Sequence, residues 1–225
     1  MFTKCNSLQK ICVPGNLVEL GQHCFANCYS LDNLTLPDTL TTTWNYTWYY
    51  CKSLKKLVLP KGLTKIRSSD FSSCDVLKTI IIHENIDTIE NGAFYNCQLL
   101  QEINIPEGVT QIGSQTFYCC YSLQKVELPE TIVSIDGSAF QFCFALAEMI
   151  IPKNVTSIGT YAFGTSNGIE NFYLYPEIPP TLTNKNTFNA ISDTCKIHVP
   201  KGCLEIYQTA DIWSEYADYM IEMEE

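Results

Sequence analysis

The chain has 225 residues and a formal net charge of −10, with a sequence pI near 4.7. Hydrophobic residues make up 46% and charged ones 17%, a globular composition that excludes a disordered chain. The acidic balance argues against nucleic acid and anionic membranes as partners, because phosphate contacts need clustered Lys and Arg. No apolar run reaches the roughly 20 residues of a spanning helix.

From its first residues the chain repeats itself. Cys5, Cys28, Cys51, Cys74, Cys97, Cys120 and Cys143 follow one another at intervals of 23 residues. Three residues before each stands an aromatic, from Phe2 and Phe25 through Trp48 to Phe140. Phe163 continues the column, with Ser166 at the next Cys position. Three residues after each Cys comes Leu, from Leu8 to Leu146. An aliphatic pair two residues apart follows, as in Leu57/Leu59 or Ile103/Ile105, then usually Pro, then two more aliphatics such as Val109/Ile112.

The stepping assigns the local structure. Phe-x-x-Cys-x-x-Leu advances by threes, which suits a turn of 3₁₀ or α helix with one face inward. Leu-x-Leu-Pro advances by two, a short strand that Pro ends because it cannot donate to a ladder. A lone coil of this kind cannot bury its apolar face, whereas stacked coils pair equivalent strands in parallel about 4.8 Å apart. The Cys column then reads as small buried thiols. In-register stacking does not supply the torsion a disulfide needs, and no C-x-x-C pair offers a zinc site.

The unit Cys-x-x-Leu-x-x-Ile-x-Ile-Pro-x-x-Val-x-x-Ile-Gly-x-x-x-Phe, clearest at 103–113, resembles the BspA-like, or Treponema pallidum type, leucine-rich repeat. The resemblance covers residues 2 to about 163 without an indel. It implies a right-handed leucine-rich-repeat solenoid with about nine short parallel strands on its concave face and turns and short helices opposite. It also implies a bacterial secreted or surface-anchored protein that adheres to host or microbial surfaces.

Along the chain, residues 1–166 are read as repeats of 23, beginning mid-repeat without an N-terminal cap. Residues 167–200 form two degenerate repeats, with pairs Phe172/Leu174 and Ile197/Val199 and a proline-rich insertion from Pro176 to Pro180. Residues 201–225, with Leu204, Tyr207, Trp213, Tyr216 and Tyr219, resemble the family's helical C-terminal cap. Two coils depart from the pattern: His83 replaces Pro, and the stretch from Thr41 to Trp48 replaces the usual aliphatic and Gly. The open first coil and the lack of a signal peptide lead us to expect a fragment, a processed form or a domain of a longer protein. The alternative is a native start whose first coil is covered by dimerisation.

Two surfaces are expected to bind. Outward strand positions place Lys55, Lys56 and Lys78 beside Val58 and Ile81, a small basic and apolar patch on an acidic protein that could seat an acidic or mixed protein partner. Trp44, Tyr46, Tyr49 and Tyr50 form an aromatic cluster suited to a protein interface or to sugar stacking. Tyr95, Tyr118, Tyr121, Phe142 and Phe144 follow in later coils. Catalysis finds no support: His23, His83 and His198 lack metal-ligand spacing, and no nucleophile elbow or phosphate loop is present. No cofactor or metal is expected, nor membrane insertion in this segment. The function expected is a non-catalytic protein-binding or adhesion module. The alternatives are a glycan-binding surface module and a cytoplasmic interaction scaffold, the latter suggested by the missing signal and the many free thiols.

Overall fold

A computed structural model describes residues 2–224. The aliphatic pairs form the expected nine strands: Lys10–Cys12, Asn33–Thr35, Lys56–Val58, Thr79–Ile81, Glu102–Asn104, Lys125–Glu127, Glu148–Ile151, Asn171–Leu174 and Lys196–Val199. Inward residues are the more buried and alternate ones the more exposed, as in Lys56, Leu57 and Val58. All pair in parallel, with residues 23 apart facing each other, as in Lys56↔Thr79 and Glu102↔Lys125. Past the insertion the offset becomes 25, with Asn171↔Lys196. The first six strands are hydrogen-bonded as three pairs, and the last ones as a continuous quartet.

The quartet contains a strand the periodicity did not announce. Met220–Glu222 pairs in parallel with Lys196–Val199, so the C-terminal segment is only partly helical. Its helical parts are one short α-helix, Leu204–Thr209, and a 3₁₀ stretch, Trp213–Tyr219. The second aliphatic of each unit builds another ladder of two-residue strands, such as Lys65–Ile66 with Thr88–Ile89.

On the third side the three-residue stepping is realised as consecutive turns. Cys28 N–H donates to the Phe25 carbonyl and Leu31 N–H to that of Cys28. His23 and Asn27, two residues either side of Phe25, have φ of 57° and 59°. The same pair recurs at Ser69 and Ser73 and at Gln115 and Cys119. A left-handed residue breaks a helix and bends the chain as the third residue of a type II turn. Hydrogen bonds between coils offset that strain: Phe25 N–H reaches the Thr47 carbonyl at 2.8 Å, and Asn27 N–H that of Tyr49 at 2.7 Å.

Inside, the columns are continuous. Phe71, Phe94 and Phe117 stack with centroids 5.5 Å apart, and the column runs on through Phe140 and Phe163 to Phe188. Every cysteine in the chain is a free thiol. Those of the buried column each donate to the carbonyl of the aromatic one coil back: Cys51 to Phe25, Cys74 to Trp48 and Cys97 to Phe71, at 3.0 to 3.2 Å. Ser166 makes the same bond to Phe140 at 2.6 Å, which explains why a hydroxyl substitutes there. Burial pushes the thiols' pKa up, that of Cys74 to about 12, so they stay protonated donors.

The departures have local causes. His83 keeps the job of the Pro position, where the carbonyl accepts a turn bond three residues on (Ile86 N–H), and its ring hydrogen-bonds the Pro60 carbonyl. In the second coil, Thr47 N–H turns to Asp70 Oδ1 at 2.9 Å, while Asp70 Oδ2 accepts from Arg67 N–H at 3.0 Å. Asp70 is 1% exposed and staples the two coils together. At the C-terminal end, Trp213 and Tyr216 cover Phe188. Their polar tips, with that of Tyr207, are satisfied by carbonyls of the insertion and the next turn: Pro176, Pro180 and Lys185.

Candidate functional site

The strand alternation fixes what the main sheet offers to solvent. Lys56 and Val58 on one strand and Ile81 on its hydrogen-bonded neighbour emerge on one face, and the exposed Lys55 and Lys78 stand immediately before those strands. Val58 and Ile81 are in register and 53% and 44% exposed, so they form an apolar pair with the lysines beside it. Large exposed aliphatics beside charge are typical of surfaces that close on a partner. A shallow groove with Lys55, Lys56 and Val58 in its lining lies where this pair meets the preceding strand. Further along, the face changes sign. Lys125 is bonded to Glu127 at 2.5 Å, which raises its pKa, and Glu102 and Glu148 add to the effect.

Beyond the acidic stretch, the in-register quartet exposes a row that sequence reasoning missed. Ile150 faces Tyr173, Tyr173 faces His198, and His198 faces Ile221. The Tyr173 and His198 rings stack at 4.4 Å, and His198 Nε2 lies 2.9 Å from Asn171 Oδ1. Burial lowers the His198 pKa, which favours the neutral imidazole. The outward column read from the sequence reaches Ile150. Carrying it on by 23 residues would have found Tyr173 and then by 25 His198, whereas Ile221 stands on the C-terminal strand that the repeat does not announce.

The aromatic cluster of the second coil is brought together in part. Tyr46 meets Tyr49 edge-on at 5.6 Å, Tyr49 meets Tyr50 at 4.6 Å, and His23 stacks on Tyr46 at 4.9 Å. Trp44 is 54% exposed and its indole N–H donates to Glu19 Oε1 at 2.6 Å. Lys52 lies over the Tyr50 ring and pairs with Asp75. Burial, then the neighbouring Tyr50 and Tyr46 hydroxyls, raises the Tyr49 pKa. Tyr95 stacks on Tyr118, and Tyr121 on Phe144. A hydrogen bond with Cys119, then burial, pushes the Tyr121 pKa up to about 12.

Sequence comparison matches the BspA type leucine rich repeat region in six copies, over residues 1–99 and 64–190. The chain belongs to this family. Among solved structures it is similar to a leucine rich cell surface protein of Faecalibacterium prausnitzii (26% identity, TM-score 0.70, 84% of this chain and 62% of that one). It is also similar to the T. pallidum leucine rich repeat protein (28%, 0.65, 68% and 72%). A leucine-rich repeat protein of Bacteroides ovatus shares the fold (19%, 0.72, 91% and 67%). The chain thus spans less than two thirds of the Faecalibacterium protein. No curated protein matches it.

Among the described residues no group of three or more His, Cys, Asp or Glu is arranged to hold a metal ion. No helix among them is long and apolar enough to cross a membrane.

Proposed function

We propose that the chain is a non-catalytic ligand-binding module of a bacterial secreted or cell-surface protein, mediating protein–protein contact or adhesion to host or microbial surfaces. The observation that carries the reading is the patch of Lys55, Lys56, Lys78, Val58 and Ile81, in which two exposed aliphatics sit in register beside three exposed lysines on a chain of net charge −10. Such a patch steers an acidic partner and supplies apolar area once it arrives. The Faecalibacterium relative, described as a cell surface protein, supports the location. The test is a titration against extracellular-matrix and bacterial surface proteins, beside a Lys55→Ala/Lys56→Ala/Lys78→Ala variant. Weakened binding by the variant is expected. Equal binding would remove this site, and no binding to any surface protein would remove the adhesion reading.

A second reading, a glycan-binding module, is favoured by two groups of ring contacts, Tyr46, Tyr49 and Tyr50 in the second coil with the exposed Trp44, and Tyr95 on Tyr118 in later coils. A glycan array with Trp44→Ala and Tyr49→Ala controls tests it, and a blank array ends it.

A further inference from the structure

The main-sheet face is ordered along the solenoid. Coils three and four carry Lys55, Lys56 and Lys78 with Val58 and Ile81. Coils five to seven expose Glu102, Glu127 and Glu148 around Lys125. The quartet then presents Ile150, Tyr173, His198 and Ile221, of which the two isoleucines are 46% and 39% exposed. We propose that this last row is a second anchor subsite of the same face. It takes a large apolar or aromatic side chain of an extended polypeptide whose acidic stretch lies on Lys55, Lys56 and Lys78. A basic residue of that ligand, between its two ends, faces Glu102, Glu127 and Glu148. The inference rests on the reading of this face as protein-binding.

Three observations support it. The row stands on the one four-stranded stretch of the main sheet, so its members are held by continuous pairing. Stacking on Tyr173 and the contact with Asn171 hold the His198 ring, so little side-chain freedom is left to lose on binding. Charge complementarity then sets the order of the ligand: acidic, basic, apolar. From the Thr79–Ile81 strand to Asn171–Leu174 there are four strand spacings, ~19 Å, which about six residues of extended chain cover. One linear segment can reach both anchors.

The experiment uses two fluorescein-labelled peptides of about 14 residues and identical composition. One carries Glu-Glu-Glu at one end, Lys-Lys in the middle and Phe-Leu at the other end. In its partner the Glu and Lys blocks are exchanged. Fluorescence anisotropy against the wild-type protein is expected to favour the first peptide by about tenfold. Tyr173→Ala/His198→Ala is expected to lose about tenfold, and Tyr173→Phe, which keeps the ring, to bind as wild type. Lys55→Glu/Lys56→Glu/Lys78→Glu makes the whole face acidic and should abolish the preference between peptides. Circular dichroism establishes that each variant is folded. If the double alanine variant binds as wild type while the charge-reversed one does not, the anchor is refuted and the basic patch stands. If only the alanine variant loses binding, the basic patch and the ligand polarity are refuted. Wild-type protein that binds neither peptide, or both alike, overturns the proposal.

Discussion

Asp70 makes the sharpest test of the physical account. Its carboxylate is 1% exposed, yet it accepts from the backbone N–H groups of Thr47 and Arg67, and Glu90 stands nearby in an ion pair with Arg67. Burial outweighs the two backbone bonds and raises its pKa to about 7. The unfolded chain releases that proton near the ordinary value of about 3.9. Between about pH 4 and pH 7 the native state therefore holds a proton that the unfolded state has lost, and stability falls as pH rises through that window. A difference of about three units corresponds to about 4 kcal/mol. Asp70→Asn cannot ionise and keeps one carbonyl acceptor. The stability of wild type relative to Asp70→Asn should thus drop by about 4 kcal/mol from pH 4 to pH 8. Urea unfolding under reducing conditions, followed by the fluorescence of tryptophans that include Trp48 beside Thr47, measures it. A wild-type-minus-variant difference that stays constant across this range would refute the reasoning, since all other titrating groups are shared.

Other expectations follow from the ladders. Cys97→Ala removes a buried thiol that donates to the Phe71 carbonyl, and should cost about 1–2 kcal/mol, whereas Cys97→Ser should cost less because Ser166 already makes that bond in the same column. Thermal melts of the two variants compare them directly. Phe94→Ala opens a gap in the stacked column and should cost about 3–5 kcal/mol. Trp48→Phe should come within about 1 kcal/mol of wild type, because it removes an indole N–H that is buried without a partner. Denaturant unfolding distinguishes these outcomes. Tyr207→Phe strips the Pro176 carbonyl of its buried donor and should destabilise the C-terminal end by about 1–3 kcal/mol, read as faster amide exchange in the strand Met220–Glu222.

How much of this was legible depended on whether a feature repeats. The Phe, Cys and Leu columns and the first eight strands followed from a period of 23, and the ninth from the same pattern two residues late, because parallel stacking puts residues one period apart side by side. The outward positions of Lys56, Val58 and Ile81 came with it, since a strand exposes alternate residues, while Lys55 and Lys78 are exposed just ahead of those strands. The period also located the irregular second coil without explaining it.

What the tertiary structure decided lies where the period is broken or where columns meet sideways. The outward column steps from Ile150 to Tyr173 by 23 and to His198 by 25, but the stacking of these two rings and the arrival of Ile221 beside them depend on the quartet that the C-terminal strand completes. The tenth strand sits in a segment whose aromatic spacing reads as helix, and only the free edge of Lys196–Val199 draws it into the sheet. Asp70 and Thr47 belong to different columns, so nothing in either column announces their bond. Repetition encodes each column in the chain itself, while contacts between columns depend on how the coil closes in three dimensions.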